Sequence, residues 1–140
     1  MASELFLDTA YALALISPRD EFQERARSLS VQLEKSRTLV VTTRAVLVEI
    51  GNALSKRQFR SAAIQLLESL EADPTIDIVP LSEQLYAQAY ELYRARPDKE
   101  WGLVDCISFV VMQERRINDA LTSDEHFRQA GFRALLREDD

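Results

Sequence analysis

Two residue types that carry much of enzyme chemistry are nearly missing from this chain of 140 residues, which has one cysteine, Cys106, and one histidine, His126. A lone cysteine excludes a disulfide framework and a thiolate zinc site. A lone histidine removes the Ser-His-Asp and Cys-His schemes and the His-rich zinc hydrolases, since each needs an imidazole with partners at set positions. Lysine is scarce as well: Lys35, Lys56 and Lys99 stand against 14 arginines. With three glycines and four prolines there is no flexible linker to divide the chain, so residues 1–140 read as one domain. No apolar run reaches the ~18 residues of a membrane span, and the opening Met-Ala-Ser-Glu lacks a basic leader. The expectation is a cytoplasmic protein with no membrane partner. Chemistry in such a chain falls to carboxylates, hydroxyls and cations.

What is present is an ordinary globular balance, 46% hydrophobic and 29% charged, which excludes disorder. A chain of this size buries about two-thirds of its unfolded surface and needs no metal or disulfide staple to fold. Its net charge of −6 argues against sequence-independent binding to a long duplex, which depends on many Lys and Arg neutralising phosphates. Arginine nonetheless suits bidentate contact with phosphate or carboxylate. Scattered surface ion pairs account for most of the set.

Hydrophobic patterning alternates short apolar runs with helical periodicity. Strands are expected at Leu5–Asp8, Thr38–Thr42, Thr75–Val79, Asp119–Thr122 and Phe132–Leu136. Helices are expected from Thr9 to Ile16, Pro18 to about Ser36, Thr43 to Arg57, Gln58 to Glu71, Ser82 to Arg96 and Leu103 to Arg116, with a helical turn from Asp124 to Ala130. Strands separated by helices throughout imply an α/β fold with a central, mostly parallel sheet of about five strands, covered on both faces. In such folds chemistry gathers beyond the carboxyl ends of the strands, where strand order reverses.

Acidic residues stand at those places. The first strand ends in Asp8, and Asp124 follows the fourth. Each is also a good helix N-cap, so both readings stay open. Glu49 interrupts the apolar stretch Val46–Ile50 and is either an exposed helix edge or a site carboxylate. Asp105 lies in a helix apolar on nearly every face, with Ser108 one turn on. A carboxylate buried there is paired, as with an arginine, or protonated, or bound to a metal, because an isolated buried charge costs several kcal/mol. If Asp8, Glu49, Asp105 and Asp124 converge, they form a hard oxygen site suited to Mg²⁺ or Mn²⁺. Such a site suits in-line phosphoryl chemistry, in which a metal lowers the pKa of an attacking water.

Leu7-Asp-Thr-Ala10, Val48-Glu-Ile-Gly-Asn-Ala-Leu54, Gly102-Leu-Val-Asp-Cys-Ile-Ser-Phe109 and Leu121-Thr-Ser-Asp-Glu-His-Phe127 with Gly131-Phe132 resemble, in order and over essentially the whole chain, the PIN-domain ribonucleases. The likeness extends to the free-standing VapC-type toxins of bacterial toxin–antitoxin pairs. It implies a three-layer sandwich and an acidic metal-binding and catalytic quartet of Asp8, Glu49, Asp105 and Asp124. Thr9 and Ser108 are then polar supports. It further implies Mg²⁺- or Mn²⁺-dependent endonucleolytic cutting of RNA, an antitoxin whose tail occupies the groove, and a homodimer.

Other residues carry less. His126 reads as a capping or packing residue that could instead be a ligand or general base, Cys106 as a small hydrophobe, and Trp101 as a partly buried anchor that could instead stack on a base. Arg44, just past the second strand, is the candidate for phosphate contact. Arg115 and Arg116 suit the negative end of their helix. Tyr86, Tyr90 and Tyr93 form a helical stripe, read as core or a dimer face. Two rivals remain: a catalytically silent binding module of the same fold, and a receiver-like signalling domain. The receiver reading suffers from having one acid after strand one and no lysine beyond Lys99.

Overall fold

The structure, a computed structural model, describes residues 4–138. Its strands are β1 (Glu4–Leu7), β2 (Leu39–Thr43), β3 (Ile76–Val79), β4 (Asp119–Leu121) and β5 (Arg133–Ala134). Its helices are α1 (Thr9–Ile16), α2 (Gln23–Ser36), α3 (Arg44–Ala53), α4 (Arg57–Ala72), α5 (Glu83–Ala95), α6 (Leu103–Arg115) and α7 (Glu125–Gln129), followed by a 3₁₀ turn at Leu135–Arg137. The strands form one sheet in the order β3-β2-β1-β4-β5, with every neighbouring pair parallel. Leu5, Phe6 and Leu7 are all buried, although successive strand side chains point to opposite faces. Both faces of the central strand are therefore covered by helices, the condition under which parallel sheets are stable.

The chain leaves β1 toward β2 and β3, then returns to place β4 on the other side of β1. That reversal sets the carboxyl ends of β1 and β4 side by side, with the Asp8 N–H donating to the Leu121 carbonyl at 3.2 Å. An aromatic core seats α6 and α7 below this edge: Phe109 meets Phe127 edge-on at 4.9 Å, and Phe127 approaches Phe6 at 6.3 Å.

Three boundaries differ from the sequence expectation by more than one residue, one of them the end of α3, which stops at Ala53 and not at Arg57, the first residue of α4. Helix α2 begins at Gln23 and not at Pro18. Ser17 is held extended before the proline, and the Asp20 carboxylate accepts the Phe22 N–H at 2.9 Å, a local bond that competes with helix formation. The last strand shrinks from Phe132–Leu136 to Arg133–Ala134. Its neighbour β4 has only three residues to pair with, and Leu136 N–H turns to the Thr122 carbonyl at 3.1 Å.

Candidate active site

Each of the four sequence-predicted carboxylates is delivered by a different element. Asp8 follows β1 and caps α1, its side chain accepting the Ala10 N–H at 3.4 Å. Asp124 follows β4 and caps α7, accepting the His126 N–H at 2.9 Å. The capping and site readings of these two residues hold together, because each carboxylate has oxygen lone pairs beyond those its cap uses. Glu49 lies in the second turn of α3, whose start is capped by the Thr43 hydroxyl accepting from Val46 N–H at 3.1 Å. Asp105 sits in the first turn of α6 and accepts the Gly102 N–H at 3.2 Å.

Asp8 is buried, and its Oδ2 accepts the Thr122 hydroxyl at 2.7 Å. The same Thr122 oxygen accepts the Asp124 N–H at 3.0 Å. One fully buried hydroxyl thus links the two strand-end acids. Glu49 is half-buried and not simply an exposed edge; the Thr9 hydroxyl donates to its carboxylate. Asp105 has no arginine partner among the described residues, so the buried ion-pair alternative is set aside. Its side-chain partner is His126, whose Nδ1 lies 2.9 Å from Asp105 Oδ2 and 3.5 Å from Asp124 Oδ1.

The electrostatics tie the four into one cluster. Burial pushes the Asp8 carboxyl up to about 7, and the charges of Asp105 and Glu49 add to it against the Thr122 hydrogen bond. Burial also raises Glu49, with Asp105 and Asp124 contributing in the same direction and the Thr9 hydroxyl opposing. Asp105 is raised by burial and by Asp124, against the His126 hydrogen bond. Burial lowers His126, but hydrogen bonding to Asp105 and the charges of Asp124, Asp105 and Glu100 more than offset this, leaving it above its usual value. No lysine or arginine among the described residues forms an ion pair with any of the four carboxylates.

That donor set fits a divalent cation. The carboxylates repel one another, and a bound cation would relieve both this repulsion and their burial. Asp105, Asp124 and His126 present ligand atoms within 4.8 Å of one another, with Asp8 and Glu49 next to them electrostatically.

Three sequence expectations are revised. The first concerns His126, which is more than a capping or packing residue and makes the cluster less purely oxygen-based than expected. The signal was its position two residues beyond a capping aspartate. Ser108 is buried, but its hydroxyl donates to the Val104 carbonyl at 3.0 Å within α6, and it shows no bond to the carboxylates. Thr122 takes the supporting place instead. Arg44 is engaged with Glu71 of α4, so contact with a phosphate would require it to exchange that partner. Trp101 is a buried anchor, its indole N–H donating to Gln129 Oε1 at 3.0 Å.

Residues 5–133 match the PIN domain family. Among curated proteins the chain is similar to the 23S rRNA-specific endonuclease VapC20 of Mycobacterium tuberculosis, with 27% identity over 128 residues, covering 91% of this chain and 95% of that protein. The crystal structure of that VapC20, described as a sarcin–ricin loop cleaving toxin, superposes with a TM-score of 0.81 at 26% identity over 91% of this chain and 95% of that one. FitAcB from Neisseria gonorrhoeae shares the fold, with a TM-score of 0.63 at 20% identity over 93% and 94% of the two chains.

Proposed function

The chain belongs to the PIN domain family, and we propose that it is a metal-dependent endoribonuclease acting as the toxin of a toxin–antitoxin pair. The observation that carries this reading is the convergence of Asp8, Glu49, Asp105 and Asp124, all without a basic ion-pair partner except His126, at the switch point of the sheet. Asp8, Asp105, Asp124 and Glu49 are the residues that would hold Mg²⁺ or Mn²⁺. When bound there, such an ion supplies an acidified water and neutralises charge on the phosphodiester. Thr122 and Thr9 orient Asp8 and Glu49, and His126 holds Asp105 against Asp124. The VapC20 relative makes 23S rRNA the first substrate to test.

The partner on this reading is an antitoxin, and the location is cytoplasmic; no helix among the described residues is long and apolar enough to cross a membrane. Homodimerisation is supported by the exposed faces of Tyr86, Tyr90 and Tyr93 on α5, whose rings stack at 6.3 and 6.4 Å. The silent binding module is the second reading, and activity separates the two. Purified protein should cut ribosomal RNA with Mg²⁺ or Mn²⁺ and stop with EDTA. Asp8→Asn should lose on the order of 10²-fold or more of the rate, since it removes both a charge and a ligand. Undiminished cutting in EDTA, traced to this protein, would sink the reading.

A further inference from the structure

The loop from Arg96 to Trp101 between α5 and α6 is fixed from beneath by Trp101, which meets Phe109 edge-on at 5.1 Å in addition to its bond to Gln129. The Arg96 guanidinium lies over the indole, 5.1 Å from the ring centroid. Asp98 clamps it from the side with two hydrogen bonds of 3.0 Å, from Nε and Nη2. A surface arginine ordinarily loses rotamer freedom when it binds a ligand; this one has already given up much of it, which is the meaning of preorganisation. Its side chain remains 41% exposed, and Nη1 has no hydrogen-bond partner among the described residues. Lys99, three residues on, has no ion pair among the described residues.

Tyr93, Arg94, Arg96, Lys99 and Trp101, with one acid, Glu100, line an open cleft of about 610 Å³ that runs on to Gly102. Gly102 N–H donates to Asp105, so the cleft ends against the acidic cluster. Trp101 is buried with Arg96 over its face, so it is not open to a base; the cationic contacts the cleft offers a polynucleotide beside the acidic cluster are Lys99 and the Nη1 edge of Arg96, the edge that Asp98 leaves open.

We propose that this cleft is a phosphate-binding subsite for the RNA strand adjoining the cleaved bond, with Arg96 and Lys99 as the phosphate-binding cations and Trp101 as the positioning residue. The proposal rests on the ribonuclease reading above. It is tested by anisotropy of a fluorescein-labelled oligoribonucleotide in EDTA over a range of salt, alongside cleavage of ribosomal RNA with Mn²⁺. The variants are Arg96→Ala, Lys99→Ala, their double, and Arg27→Ala as an exposed control on α2, each checked for its thermal midpoint. The double variant should bind RNA on the order of 10-fold more weakly, and its salt slope should fall by about 0.7 for each phosphate left without its cation. Its KM should rise while kcat stays within about twofold, the signature of weakened uniform binding. Arg96→Lys, which keeps the charge but not the clamped fork, should fall between wild type and Arg96→Ala. Unchanged affinity and slope in the double variant overturn the subsite, as does a weakening confined to a labelled deca-glutamate peptide, which would make the cleft a seat for an acidic protein tail. A wild type that binds RNA but cuts none overturns the ribonuclease reading instead, and the binding series still judges the cleft.

Discussion

His126 Nδ1 and Asp105 Oδ2 meet at 2.9 Å although 21 positions separate the two residues. The contact joins the start of α6 to the start of α7 and brings Asp105 toward Asp124. A ring that orients a ligating carboxylate affects affinity even without touching the ion. His126→Ala should therefore weaken Mn²⁺ binding, read by calorimetry, by roughly 10-fold, and His126→Gln should recover part of that affinity. Equal affinity in wild type and His126→Ala would reduce the contact to packing.

Thr122 is the second device of this kind. Thr122→Val keeps the shape but leaves Asp8 without its hydroxyl donor and the Asp124 N–H without its acceptor. We expect a stability decrease of about 1–3 kcal/mol by chemical denaturation, with a fall in RNA cleavage larger than the unfolded fraction explains. A stable variant with wild-type cleavage would show that the hydroxyl bridge is dispensable.

Asp105 separates the two meanings of a buried acid. Since its partner is a part-exposed histidine and its neighbours are carboxylates, Asp105→Asn should leave the metal-free protein as stable as wild type or up to ~1 kcal/mol more so. It should also abolish stabilisation by Mn²⁺, which acts through binding to the folded state. A decrease of ~3–5 kcal/mol, the cost of stranding a buried charge, would point to a structural role.

Metal-free stability should depend on pH in a defined sense. Asp8 titrates near 7 in the folded protein against a usual value of 3.8, so between those values the folded state holds a proton that the unfolded chain has released. Stability therefore falls as pH rises through this window, by up to about 4 kcal/mol for a shift of this size. His126, raised when folded, adds in the same direction: its contribution is present at low pH and is lost as pH climbs through its folded value. Denaturation midpoints in EDTA should be higher at pH 5 than at pH 8, and Asp8→Asn should remove much of the difference. A flat profile in the wild type would contradict the burial of Asp8.

Much of this molecule is determined locally and is legible without coordinates. Period-two and helical patterns mark the strands and helices because burial on one or both faces demands them. Asp8 and Asp124 stand out because a strand end followed by a cap is a local feature. Asp105 stands out because a charge in an all-apolar helix needs a reason. The tertiary structure alone decided which groups those acids meet. Strand order placed β4 beside β1, and only then could the Thr122 hydroxyl reach both Asp8 and Asp124. Packing of Phe127 under the sheet edge carried His126 to Asp105, a pairing that no spacing announces. Ser108 shows the converse: helical spacing put it on the face of Asp105, yet a buried hydroxyl satisfies itself most readily on the carbonyl one turn back in its own helix, Val104. Periodicity follows from the chain's local geometry, whereas hydrogen-bond partners across 40 or 114 positions, as for Thr9 with Glu49 and Thr122 with Asp8, exist only after the sheet has assembled.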